Sequence, residues 1–174
     1  MTKIMTTPFS EEDIRSLRAG DRVVLSGTVY TGRDAAHKRL CNMLDNQETL
    51  PVDLSGQAIY FVGPCPAPPG RPIGSAGPTT SGRMDFYSPR IIAQCGLRAM
   101  IGKGDRNQAV KDAMKEYGCV YFAATGGAGA LIANSIVKAE VVAFDDLGPE
   151  AIYKLEFDSL PLVVAIDSEG NSLY

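Results

Sequence analysis

Three cations in this chain stand beside glycines, at places where the backbone turns from one element into the next. The densest of these places is Gly77-Pro78-Thr79-Thr80-Ser81-Gly82-Arg83-Met84-Asp85, which sets three hydroxyls, an arginine and a carboxylate around a pair of glycines. Gly77 and Gly82 permit backbone angles that other residues avoid, and Pro78 fixes its own φ. The more apolar Phe86-Tyr87 follow, so the order reads as a loop turning into a helix, with Thr79, Thr80 or Ser81 as the cap. Free N–H groups at such a helix start attract anions, and the Arg83 fork grips a carboxylate or phosphate with two hydrogen bonds. An ordinary capped loop with an exposed arginine would read the same way. Arg33 lies in Thr31-Gly32-Arg33-Asp34 and Lys103 in Gly102-Lys103-Gly104-Asp105, each expected at a strand-to-helix junction. Grouped together, Arg33, Arg83 and Lys103 would bind a small dianion such as a dicarboxylate, arginine bidentately and lysine as a point charge. A threonine hydroxyl is a very weak acid. Thr79 or a neighbour can act as a base only where cations and backbone N–H groups strongly stabilise its alkoxide.

The elements that would carry these residues alternate. Ser10 caps a helix with acids in its first turn, expected to end near Ala19-Gly20. Val23 to Tyr30 reads as a strand with a bulge at Gly27. Asp34 caps a helix whose apolar positions are Ala36, Leu40, Met43 and Leu44; it also carries His37, the single histidine of the chain, read as structural or merely exposed. Ala58 to Val62 is a short strand, and the prolines from Pro64 to Pro72 form a rigid surface loop. A helix runs from Arg83 towards Cys95-Gly96, bent or divided by Pro89. Ala99 to Ile101 is a strand, a helix starts at Asp105 or Asn107, and Cys119 to Ala124 is a strand. A glycine turn at 125–130 leads to a short helix. Ile136 to Phe144 is a strand, and Ala151–Phe157 and Leu162–Ile166 are a closing pair before a turn at Ser168-Glu169-Gly170-Asn171.

The 174 residues suffice for one domain, 1–174, with 1–9 as a possible flexible N-terminal tail. A hydrophobic share of 45% with 21% charged residues is that of a globular protein, and a net charge of −3 points to neither nucleic acid nor an anionic membrane. No apolar run has membrane-spanning length and none resembles a secretory leader, so the expected compartment is cytoplasmic. Cys41, Cys65, Cys95 and Cys119 are scattered without a C-x-x-C pair, so no metal site is expected and the thiols should be reduced and mostly buried. The G-x-x-x-x-G-K-S/T and G-x-G-x-x-G patterns are absent, which places nucleotide binding last.

Six segments in order carry a resemblance: Arg33 to Leu40, Tyr60 to Pro64, Gly77 to Asp85, Ile101 to Gly104, Thr125 to Ala128 and Leu147 to Ile152. From about Gly20 onward the chain resembles the β subunit of the iron–sulfur hydro-lyases, class I fumarase and L(+)-tartrate dehydratase. The resemblance implies an α/β fold, a single swivelling β/β/α-type domain. It implies a 4Fe–4S cluster held by three cysteines of a separate α subunit or domain, a dicarboxylate substrate, and a β–β dimer within a heterotetramer. It implies Thr79 as the base for the C3 proton and Arg33, Arg83 and Lys103 as substrate-binding residues, with Asp34, His37, Thr80 and Asp85 in support. Fumarate hydration and tartrate dehydration both fit, and a non-catalytic dicarboxylate-binding module is the reading from another class.

Overall fold

The computed structural model describes residues 2–124 and 132–174; the glycine turn expected at 125–130 lies outside the described residues. The chain is a mixed α/β protein. Strands β1 (Thr2–Thr6), β2 (Arg22–Thr31), β3 (Ala58–Tyr60), β4 (Ala99–Gly102), β5 (Val120–Ala124), β6 (Ile136–Ala143) and β7 (Ile152–Ile166) hydrogen-bond in the order β1-β2-β3-β4-β5-β7-β6. β2 also pairs with β7, so β2, β3, β4, β5 and β7 close into a ring, with β1 and β6 attached outside it. β1 to β5 run parallel, and β7 runs antiparallel to β2, β5 and β6. Helices α1 (Glu11–Arg15), α2 (Asp34–Asp45), α3 (Ser88–Cys95) and α4 (Gln108–Tyr117) connect the parallel strands.

Side chains alternate across a strand, and here both faces of the central strands are buried. Ala58, Tyr60, Ile101, Val120 and Phe122 share one apolar core with Val23, Leu25 and Val29 of β2 and Leu155, Phe157 and Leu162 of β7. Ile59, Met100 and Tyr121 point the other way, into a core with Leu40 of α2, Ile91 of α3 and Val110 of α4.

Several expectations change. Where 1–9 were expected as a possible tail, Thr2–Thr6 pairs in register with Arg22–Ser26, and Phe9 is buried in the core. α1 begins on the expected Ser10 capping box but stops at Ser16, whose hydroxyl donates to the Asp13 carbonyl. α2 begins at Asp34, which does not cap it: the Asp34 carboxylate is engaged by Arg83, and the Ala35 N–H donates to Glu150 Oε1 at 3.3 Å. The expected closing pair of strands is one long strand. β7 crosses Asp158–Ser159 because Ser159 takes φ 59 and its N–H donates to Ser26 Oγ at 3.0 Å, opposite the β2 bulge between Leu25 and Gly27. The strands and helices expected from 23, 58, 99, 107, 119 and 136 onward are all present.

Candidate active site

The three junction cations lie at one end of the sheet because β2, β3 and β4 are parallel and in register. Thr31, Tyr60 and Ile101 form one row across these strands. The ladder continues one step further, with Gly32 N–H donating to Tyr60 O at 3.0 Å and Phe61 N–H to Ile101 O at 2.9 Å. The row after that holds Arg33, Val62 and Lys103. Arg33 and Lys103 thus follow strands that are two positions apart in the sheet, β2 and β4. Ligands of parallel α/β sheets bind beyond this carboxyl end of the strands.

The hydroxyl segment enters the gap between β3 and β4. Thr79 N–H donates to Phe61 O at 2.7 Å, Ser81 N–H donates to Lys103 O at 2.9 Å, and Thr80 forms a bridge with Lys103. Gly102 admits this wedge. A Cβ there would overlap Ser81 Oγ and come within 2.9 Å of Phe61 Cδ2. The expected helix start is a 3-10 helix, Ser81–Met84, preceded by Thr80 with no side-chain cap, and α3 begins separately at Ser88 with Pro89 in its first turn. The backbone N–H groups of Thr79 and Ser81 are therefore used in holding the wedge rather than offered to an anion. That corrects the expectation of a side-chain-capped helix N-terminus at Thr79, Thr80 or Ser81.

Arg33 lies across Gly63: a Cβ on that glycine would sit 3.0 Å from both Cδ and Nη1 of Arg33. Its Nε is buried with no hydrogen-bond partner among the described residues. Arg83 directs Nη2 and Nε to one oxygen of Asp34, at 2.8 and 3.0 Å, while the other Asp34 oxygen is buried and has no partner among the described residues. Lys103 is exposed and has no carboxylate partner among the described residues. Thr79 is half-buried, and no described residue hydrogen-bonds its hydroxyl. Phe86, directly after this segment, is 85% exposed. The result is an open face with two arginines, a lysine and a threonine hydroxyl, and with a buried donor still lacking an acceptor, which calls for an explanation.

The supporting residues divide. Asp34 joins Arg83 to the start of α2. Thr80 is exposed and acts through its backbone. Asp85 accepts from Arg106 Nε at 2.6 Å and from Asn107 N–H at 2.8 Å. His37 is buried, and its Nδ1 lies 2.8 Å from Arg33 O. A carbonyl only accepts, so Nδ1 carries the proton. Burial holds the His37 pKa down at about 4, against the opposing pull of the Arg33 carbonyl. Its ring packs edge-on to Phe61 with centroids 5.4 Å apart. His37 is thus a neutral fastener for the turn that presents Arg33. Sequence reasoning missed Arg106, which reads as one more charge ahead of a helix cap yet is fully buried.

Among the described residues no three His, Cys, Asp or Glu side chains are grouped for a metal. Burial pushes the Cys119 thiol up to about 12 and the Cys95 thiol up to about 11, and raises Cys41 as well. Such thiols are poor sources of the thiolate that iron and zinc require. None of the described helices is long and apolar enough to cross a membrane. A cavity of about 300 Å³ between β1, β2 and β7, lined by Thr2, Arg22 and Val163, opens at the other end of β2 and includes none of the candidate residues.

The family model described as fumarase C-terminus matches residues 2–174. Over 154 residues, 88% of this chain, the sequence is 42% identical to the aerobic class I fumarate hydratase of Escherichia coli K12, of which it spans 28%. It is 40% identical over 156 residues to fumarate hydratase 2 of Leishmania major, again spanning 28% of that protein. A Methanocaldococcus jannaschii protein provisionally named L(+)-tartrate dehydratase subunit beta is 41% identical over 171 residues, 95% of this chain and 88% of the relative. The chain therefore spans between 28% and 33% of the fumarate hydratases it matches, and 88% of a relative named as a subunit.

Proposed function

Since the chain belongs to the fumarase C-terminus family, we propose that it is the β-type part of a hydro-lyase that adds water reversibly to fumarate, giving malate. The observation that carries this reading is the buried Arg33 Nε, without a partner among the described residues, on a turn that leaves the same end of the sheet as Lys103 and the Thr79–Arg83 segment bonded to it. In this reading Arg33 and Arg83 hold carboxylate oxygens through their planar forks, and Lys103 neutralises the remaining charge. Asp34 keeps Arg83 oriented until substrate arrives. Thr79, its hydroxyl acidified by these cations, takes the C3 proton from malate and returns it in the hydration direction. The Lewis acid for the substrate hydroxyl would be the 4Fe–4S cluster that the family resemblance assigns to an α chain.

A cluster-bearing α chain would cover the open face, including exposed Phe86, and exclude water. The relatives support such a partner, since the fumarate hydratases are several times longer than this chain and the tartrate dehydratase relative is named as a subunit. The reading includes a swivelling β/β/α domain, a β–β dimer within a heterotetramer and a cytoplasmic location. Dehydration of L(+)-tartrate is the second reading, favoured by the relative of matching length. The assembled pair assayed with each substrate separates the two: turnover of fumarate without tartrate supports the first, the reverse supports the second, and turnover of neither overturns both.

A further inference from the structure

Arg106 is the most deeply buried charge beside the site, and its partners belong to the arms that carry the candidate residues. Its side chain is 0% exposed. Nε donates to Asp85 Oδ1 at 2.6 Å, Nη2 to Ser88 Oγ at 2.7 Å, and Nη1 lies 3.1 Å from Met100 Sδ. The guanidinium plane is held between the rings of Phe61 and Tyr121, 5.0 and 5.1 Å from their centroids. The second Asp85 oxygen accepts from Asn107 N–H at 2.8 Å. Asp85 ends the arm that carries Thr79 and Arg83, while Arg106 and Asn107 follow Lys103 on the other arm. Beneath them, the Tyr121 hydroxyl lies 2.7 Å from both Ser81 Oγ and Gly104 O. A carbonyl only accepts, so Tyr121 donates to Gly104 and Ser81 donates to Tyr121. This second tie joins the same two arms.

We propose that Arg106 is a positioning residue: through Asp85, and stacked on Phe61 and Tyr121, it sets the spacing between the Thr79–Arg83 arm and the Lys103 arm. The proposal rests on the reading that these arms hold a dicarboxylate. Arginine suits the role because one planar group can stack between two rings while its edge donates in three directions; a lysine retains the charge and loses both properties. The partners are contributed by Phe61 just after β3, the 79–88 segment, β4 and β5, so the guanidinium joins four parts of the fold at one point.

Two variants, Arg106→Lys and Asp85→Asn, test this in two measurements. The first is amide hydrogen exchange on the full chain. Exchange at Ser81 and Asn107 should accelerate by about tenfold or more, with Val29 and Val164 unchanged, since only the tie between the arms is released. The second is steady-state kinetics of the complex with the α chain, well below the melting temperature. kcat should fall by about tenfold to a hundredfold while KM moves by less than about threefold, because the cations persist but the base is misplaced. Uniform acceleration of exchange across the chain, wild-type kcat in both variants, or failure of both variants to fold would make Arg106 a stability residue alone and overturn the proposal. If the wild-type complex turns over neither fumarate nor tartrate, the functional reading fails by itself, and exchange at Ser81 still decides whether the tie exists.

Discussion

Arg83 is the candidate most sensitive to geometry rather than charge. It reaches Asp34 through two nitrogens of one fork, and in the proposed complex the same fork meets a carboxylate. Arg83→Lys keeps the charge and removes the fork. A charge-assisted hydrogen bond is worth about 2 kcal/mol, so kcat/KM of the assembled enzyme should fall about thirtyfold; a value close to wild type would remove Arg83 from carboxylate binding. His37 makes a different prediction, about stability. Its folded pKa of about 4 lies below the ordinary 6.5, so between those values the unfolded chain binds the extra proton. Stability from this group is complete above pH 6.5 and falls as pH drops towards 4, by about 2 kcal/mol between pH 7.5 and pH 5. In denaturant titrations the gap between wild type and His37→Gln should narrow by about that amount over the same interval, and a gap independent of pH would contradict the assignment. Arg33, Arg83 and Lys103 were legible in the sequence as cations at junctions. Arg106 was not, because its burial depends on Phe61 and Tyr121, which are distant in sequence and give no local signal.

The wedge of Thr79-Thr80-Ser81 between β3 and β4 makes the site an arrangement of elements rather than of loops alone. Its tightest point is Gly102. Gly102→Ala places a Cβ against Ser81 and Phe61, and overpacking of this kind costs about 1–3 kcal/mol. Tm should fall by about 2–10 °C, with loss of activity in the complex. Gly82→Ala is the control, since a Cβ there meets nothing within 4 Å. Equal Tm values for the two variants would mean that the wedge is not close-packed. Strand composition made β2 readable, apolar spacing α2 and the Asn107 cap α4, because these signals are local. β1 was unreadable: Thr2–Thr6 has little apolar character and is a strand because β2 offers it an edge. The break expected between Phe157 and Leu162 was misleading for a similar reason. Asp158-Ser159 with Pro161 reads as a turn, yet it is a bulge matched to another on β2, and that matching appears only once the two strands pair.

At the scale of the molecule, the fold presents a cationic, hydroxyl-bearing face and leaves it open. Two buried cores hold β2, β3 and β4 from both sides, and the face lies at their shared end. The central claim is that this chain supplies anion-binding and base groups to a reaction completed by an α chain. It is tested most directly by following fumarate absorbance in the ultraviolet with this chain alone, with the cluster-loaded α chain alone, and with the two mixed anaerobically. Turnover is expected only in the mixture, and it should be lost when the mixture contains Thr79→Val, which is nearly isosteric and has no hydroxyl. Robust turnover by this chain alone, persisting in the presence of a chelator, would contradict the account.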